Sequence, residues 1–291
     1  MIRSTTTLQS ARAAAVAAVF ACIGGASAQL NLGVPEELKG VDIIEKLDAQ
    51  LPLDARFTND AGEQVSLRDY FKGDKPVLLQ IGYNRCPMLC SLVLNGTFDA
   101  LKGVDWTPGD QFEVVSVSID PAEAATLAKA KKEAYLADFD RPGASKGVHF
   151  LTGTEIMSKS VADAVGFGYT RQPDGEYAHA AAIFLVKPDG KVSRYMYGAK
   201  FDPKDLRMAL LEASQGRIGS TLDRFILWCH VYDPDARGYV LQARKVMSLG
   251  GLLTVLVLAG GLTAFWRVEF SRKKKTVAEL NRAANSRSNE Q

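Results

Sequence analysis

Two cysteines, Cys86 and Cys90, stand four positions apart directly after the apolar run Pro76 to Ile81. That run reads as a buried strand, and Pro87 to Leu94 reads as the helix after it, with proline in its first turn. If Cys90 lies in that first turn, the two side chains meet on one face of the chain. A helix N-terminus favours negative charge, so the expectation is a pair of exposed thiols inclined toward thiolate. Thiols so placed either cycle through a disulfide or hold a soft metal. A purely structural bridge is poorly motivated, because closing so short a loop removes little chain entropy.

The two ends of the chain bear on its compartment. Arg3 and Arg12 precede an apolar segment from Ala13 to Ile23, followed by Ala26-Ser27-Ala28. This is the pattern of a secretory signal peptide over residues 1–28, with Gln29 as the new N-terminus and Cys22 removed. A lipoprotein reading of Val19 to Cys22 is second to it, because Phe20 fits that pattern badly. Near the other end, Val246 to Trp266 carries no charge. As a helix it is about 31 Å long, one hydrocarbon thickness, and it is apolar on every face. Arg267, Arg272 and Lys273 to Lys275 follow it, so the positive-inside rule puts residues 267–291 in the cytoplasm. The expected arrangement is a single-pass protein of a bacterial inner membrane with its main domain, residues 29–239, in the periplasm. A net charge of +2 gives no argument for nucleic acid.

The outward body of roughly 200 residues suits one domain. Its pattern predicts a small hairpin from Leu53 to Leu67 across Asn59 to Gly62, then a strand Val77 to Ile81 and a helix Pro87 to Leu101. A strand Phe112 to Ile119, a helix Ala122 to Phe139, a short strand His149 to Leu151 and a helix Glu155 to Val165 come next. A hairpin of Ala180 to Val186 and Val192 to Tyr197 around Lys187-Pro188-Asp189-Gly190 precedes a last helix, Pro203 to Ala213. This order is that of an α/β thioredoxin-like sandwich, enlarged by the early hairpin and an insertion around Lys131 to Gly147 and followed by one transmembrane helix.

Of the three histidines, His149 opens an apolar strand and reads as a packing or capping residue. His179 stands just before the hairpin strand, where the fold would face it toward the cysteine loop. Two thiolates and one imidazole suit Cu(I) and, with added ligands, Cu(II); zinc ordinarily takes a fourth ligand. Cys229 and His230, in a Trp228 to Asp233 cluster near the membrane, form a second constellation. It reads first as aromatic packing and second as a metal or intermolecular thiol site.

The CxxxC after the first core strand, the distant His179 and the Lys187 to Gly190 turn together resemble the SCO/SenC family of copper-binding cytochrome c oxidase assembly proteins, over about Leu51 to Ala213. The resemblance implies a thioredoxin fold and copper as the metal, with Cys86, Cys90 and His179 as its ligands. It also implies delivery to the dinuclear copper centre of cytochrome c oxidase subunit II, reduction of that subunit's cysteines through the Cys86–Cys90 pair, or both. A periplasmic thiol reductant is then a further partner. The family more commonly has proline after the second cysteine, where this chain has Ser91, and aspartate before the histidine, where it has Ala178. Whether Glu176 replaces that carboxylate is open on sequence alone. A plain thiol-disulfide oxidoreductase is the alternative function. A peroxidase of the same fold class, with Arg85 as the activating residue, stands behind it.

Overall fold

The computed structural model describes residues 40–288 apart from 72, 87, 88, 216, 218 and 234–237. The expected signal peptide therefore lies outside the described residues, as does Pro87. Strands β1 (Arg56–Thr58) and β2 (Gln64–Ser66) pair antiparallel around the turn that Asn59 organises, its side-chain carbonyl accepting from the N–H groups of Ala61 and Glu63. Strand β3 (Val77–Gly82) follows, then helix α1 (Leu89–Lys102), strand β4 (Glu113–Ser118) and helix α2 (Ala125–Phe139). Next come strand β5 (Val148–Leu151) and helix α3 (Glu155–Ala164), whose N-cap Thr154 accepts from the Met157 N–H. A second small hairpin, β6 (Tyr169–Arg171) and β7 (Tyr177–His179), leads to β8 (Ala182–Val186), β9 (Val192–Tyr197) and helix α4 (Pro203–Ala213).

The central sheet has the order β5-β4-β3-β8-β9, parallel from β5 to β3 and antiparallel beyond it. All six residues of β3 and all six of β4 are buried, because both faces of the sheet are covered. Alternation divides them between two cores. Leu79, Ile81, Val115, Val117 and Phe184 pack with Val161 and Ala162 of α3 on one face. Leu78, Val114, Ile183 and Leu185 pack with Val93, Phe98 and Leu101 of α1 and Leu206 and Leu210 of α4 on the other. This is the thioredoxin-like sandwich read from the sequence. The three parallel strands point their C-terminal ends one way, and the chain leaves β3 at that end straight into the cysteine loop.

Beyond α4 lie elements that the sequence reading did not separate. Helix α5 (Thr221–Cys229) starts in a capping box made by Ser220 and Asp223. Strands β10 (His230–Asp233) and β11 (Gly238–Leu241) then pair antiparallel. The last helix, α6 (Ala243–Ser288), is far longer than the apolar stretch inside it. Its segment Ala243–Arg267 is long and apolar enough to cross a membrane, and its large side chains are exposed.

Candidate metal centre

Gly82 ends β3, and the turn Tyr83 to Arg85 carries the chain to Cys86. The turn is held from behind by Glu123. This carboxylate accepts from the Asn84 N–H (2.9 Å), the Asn84 side-chain amide (2.7 Å), the Arg85 N–H (2.7 Å) and the Ser118 hydroxyl (2.7 Å). Its side chain has no exposed surface. A buried carboxylate is tolerable only when its lone pairs are taken up in this way. The Arg85 guanidinium is ion-paired with Asp120 and lies 4.0 Å from Glu123. It is therefore engaged by these carboxylates.

Cys90 lies in the first turn of α1, the condition under which the two thiols meet on one face. Its N–H donates to Cys86 Sγ (3.2 Å), and its own Sγ accepts from the Tyr83 N–H (3.4 Å). Gly82 makes room for that sulfur: a Cβ at position 82 would stand 3.0 Å from Cys90 Sγ and 2.6 Å from the Gln80 amide nitrogen.

The third member comes from β7. His179 is the last residue of that strand, paired with Tyr169, and it is not simply the residue before the main hairpin. Its Nδ1 faces the Ala180 carbonyl at 2.8 Å, and its Nε2 faces Cys90 Sγ at 2.9 Å. A carbonyl only accepts, so Nδ1 carries the proton and the Nε2 lone pair points at the sulfur. Burial pulls the His179 pKa below the usual imidazole value, against the smaller upward pull of the Ala180 carbonyl, which keeps the ring neutral and able to ligate.

The expectation of exposed, thiolate-leaning cysteines is corrected by this geometry. Cys86 is 8 % exposed, Cys90 1 % and His179 6 %. Burial pushes the Cys90 thiol well above its ordinary range, and the hydrogen bond from the Tyr83 N–H recovers only part of that shift. Desolvation outweighs the helix N-terminus, because a thiolate in an apolar pocket loses its water while gaining only a partial positive charge. Such a group ionises readily only when a cation arrives to share the pocket.

The donor atoms of Cys86, Cys90 and His179 all lie within 4.8 Å of one another. Among the described residues they are the one group of three or more side chains able to hold a metal ion. Two metal–ligand bonds of about 2.3 Å span about 4.6 Å, which is the scale of this separation. Among the described cysteines no disulfide is formed.

The remaining candidates fall elsewhere. His149 hydrogen-bonds Glu113 at 3.1 Å and packs on the Tyr70 ring at 4.5 Å, at the opposite end of the parallel strands, as a packing residue should. His230 Nδ1 donates to the Ile226 carbonyl at 2.8 Å, and Cys229 is buried beside it. Glu176 does not take up the imidazole. It accepts instead from the Tyr83 hydroxyl at 2.6 Å. Sequence reasoning missed Glu123 and Tyr83. A carboxylate three residues after Asp120, just beyond the strand beside the cysteine loop, was the available signal for the first.

A thioredoxin-like sandwich with two buried thiols and an imidazole converging at the end of its first core strand defines a class of domain built to take up a soft metal ion. The family model of SCO1/SenC matches residues 48–214, more than half of the chain. The chain belongs to the SCO1/SenC family. Among solved structures, a putative electron transfer protein from Aquifex aeolicus VF5 has 21% identity and a TM-score of 0.50, covering 58% of this chain and 94% of its own. Arabidopsis thaliana ScoI with copper bound has 20% identity and a TM-score of 0.45, covering 58% of this chain and 99% of its own. Bradyrhizobium japonicum ScoI with copper bound has 26% identity and a TM-score of 0.40, covering 55% of this chain and 95% of its own. Among curated proteins, none matches the chain.

Proposed function

We propose that this protein is a membrane-anchored copper chaperone that takes up copper through Cys86, Cys90 and His179 and passes it to the dinuclear copper centre of cytochrome c oxidase subunit II. The observation that carries the reading is the convergence of the three donor atoms within 4.8 Å. Two thiolates and a neutral imidazole form a soft set suited to Cu(I). Membership of the SCO1/SenC family supports copper as the ion and oxidase assembly as the context. The apolar segment Ala243–Arg267 supports the anchor, and the basic residues after it support a periplasmic domain with a cytoplasmic tail.

Transfer follows from the donor count. Three ligands leave an accepting cysteine or histidine a way to enter the coordination sphere before the donor lets go. Delivery is tested by mixing the copper-loaded protein with the apo copper domain of an oxidase subunit II and following the appearance of the dinuclear centre's absorption. Transfer at stoichiometric ratios supports the reading, and no transfer to any accompanying subunit II contradicts it.

A second reading, reduction of client cysteines through the Cys86–Cys90 pair, is favoured by the Cys90 N–H hydrogen bond to Cys86 Sγ, which holds the two groups together on one turn. The raised Cys90 pKa counts against it, because thiolate is the attacking species in exchange. Catalytic reduction of an oxidised client peptide without copper would favour this reading over delivery.

A further inference from the structure

The two halves of the metal centre come from separate structures. The cysteines ride on the β3–α1 turn, whereas His179 rides on the β6–β7 hairpin, which forms a two-stranded sheet of its own outside the central sheet. Geometry at the metal then depends on whatever ties this hairpin to the cysteine turn.

Tyr83 makes that tie at several points. Its backbone N–H donates to Cys90 Sγ, so its main chain belongs to the thiol half. Its ring packs edge-on against Tyr177 (5.4 Å between centroids) and against His179 (6.2 Å). Its hydroxyl donates to Glu176 Oε2 at 2.6 Å and accepts from the Tyr177 N–H at 3.4 Å, both beside the hairpin turn. Tyr83 is 7 % exposed. A buried phenol hydroxyl needs a partner; this one finds two on the arm that carries His179 and also meets the Cys86 side chain on the thiol half.

We propose that Tyr83 and Glu176 are positioning residues: their hydrogen bond clasps the histidine hairpin over the cysteine turn and thereby sets how tightly the site retains copper. The inference rests on the copper reading of this site and adds a determinant of release to it. With the clasp intact, His179 Nε2 is held at the thiol pair. With it broken, the hairpin loses a tie near its turn and keeps those at its root, where Phe167 bridges to Ile43 and the Gly168 N–H donates to Asp42. Removing partners that orient a metal ligand costs about 10–100-fold in affinity. Glu176 is solvent-exposed, which places the clasp at the lower end of that range.

The test uses Tyr83→Phe, Glu176→Ala, Glu176→Gln and the double variant Tyr83→Phe/Glu176→Ala. Hydrogen exchange of the copper-free proteins should show faster exchange in β6–β7 for Tyr83→Phe and Glu176→Ala, with β3 and β4 unchanged. Copper dissociation to a chelator should speed up about 10-fold in both. Glu176→Gln should stay near wild type, because its amide oxygen still accepts. The double variant should be no faster than either single one. Wild-type exchange and dissociation in Tyr83→Phe, or additive effects in the double variant, would overturn the clasp. Wild-type protein that takes up no copper would overturn the functional reading instead, and the exchange data would then decide the clasp alone.

Discussion

Cys90 Sγ and His179 Nε2 lie 2.9 Å apart although 89 positions separate them in the chain. The Ala180 carbonyl fixes the imidazole tautomer, so the hydrogen bond is donated by the thiol and accepted by the ring. Loss of that one proton leaves two adjacent lone pairs aimed at a common point. On the proposed copper site, proton loss and copper uptake would be coupled at this pair.

The first prediction concerns pH. The Cys90 thiol is raised by burial, so it is protonated at neutral pH and must release a proton when copper enters. Apparent affinity should rise with pH, up to tenfold per unit for each proton released. His179 is already neutral there because its pKa is lowered, so the imidazole adds to the proton count only in more acid solution. Competition titrations at several pH values, with proton release followed by a dye, check this. A pH-independent affinity would contradict it.

A second prediction concerns Gly82. The Cβ of Gly82→Ala would press on Cys90 Sγ and on the Gln80 side chain. Overpacking of this kind costs about 1–3 kcal/mol. The variant should fold with a lowered Tm and bind copper more weakly, and denaturant melts beside copper titrations measure both.

Glu123→Ala tests the support of the cysteine turn. The substitution strands the donors of Asn84 and Ser118 in a buried pocket and also removes the acceptor of the Arg85 N–H. Leaving buried donors without their acceptor costs about 1–3 kcal/mol. Equilibrium unfolding should show a loss of that order, whereas a change below about 1 kcal/mol, the worth of one ordinary hydrogen bond, would mean that the turn holds itself.

The α5 capping box supplies a stability prediction with a definite sign. Hydrogen bonds from Ser220 hold the Asp223 pKa below the ordinary carboxylate value, and Arg207 adds to the effect. A carboxylate lowered in the folded state contributes stability above its unfolded pKa and loses it as pH falls through the folded value. Asp223→Asn should therefore be less stable than wild type at pH 7, with the difference shrinking below about pH 4. Thermal melts across that range give the comparison.

The central sheet was legible because β3 and β4 are continuous buried runs and the Lys187 to Gly190 turn marks its hairpin. Cys86 and Cys90 declared themselves by spacing, and His179 by its place before β8. The β6–β7 hairpin was not legible: each strand is three residues long, too short for a period-2 pattern to show. Burial of the thiols was hidden for a different reason. It comes from Phe167, Tyr83 and Tyr177, which converge on the site only through tertiary packing. The pairing of Glu176 with Tyr83 likewise crosses 93 positions and leaves no local trace.

The most direct measurement is a copper titration of the reduced protein beside Cys86→Ser, Cys90→Ser and His179→Ala, with the coordination shell read by X-ray absorption. One copper per chain, bound by two sulfurs and one nitrogen, with binding abolished or severely weakened in each variant, is the predicted result. Wild-type affinity and an unchanged absorption spectrum in His179→Ala would contradict the three-donor site.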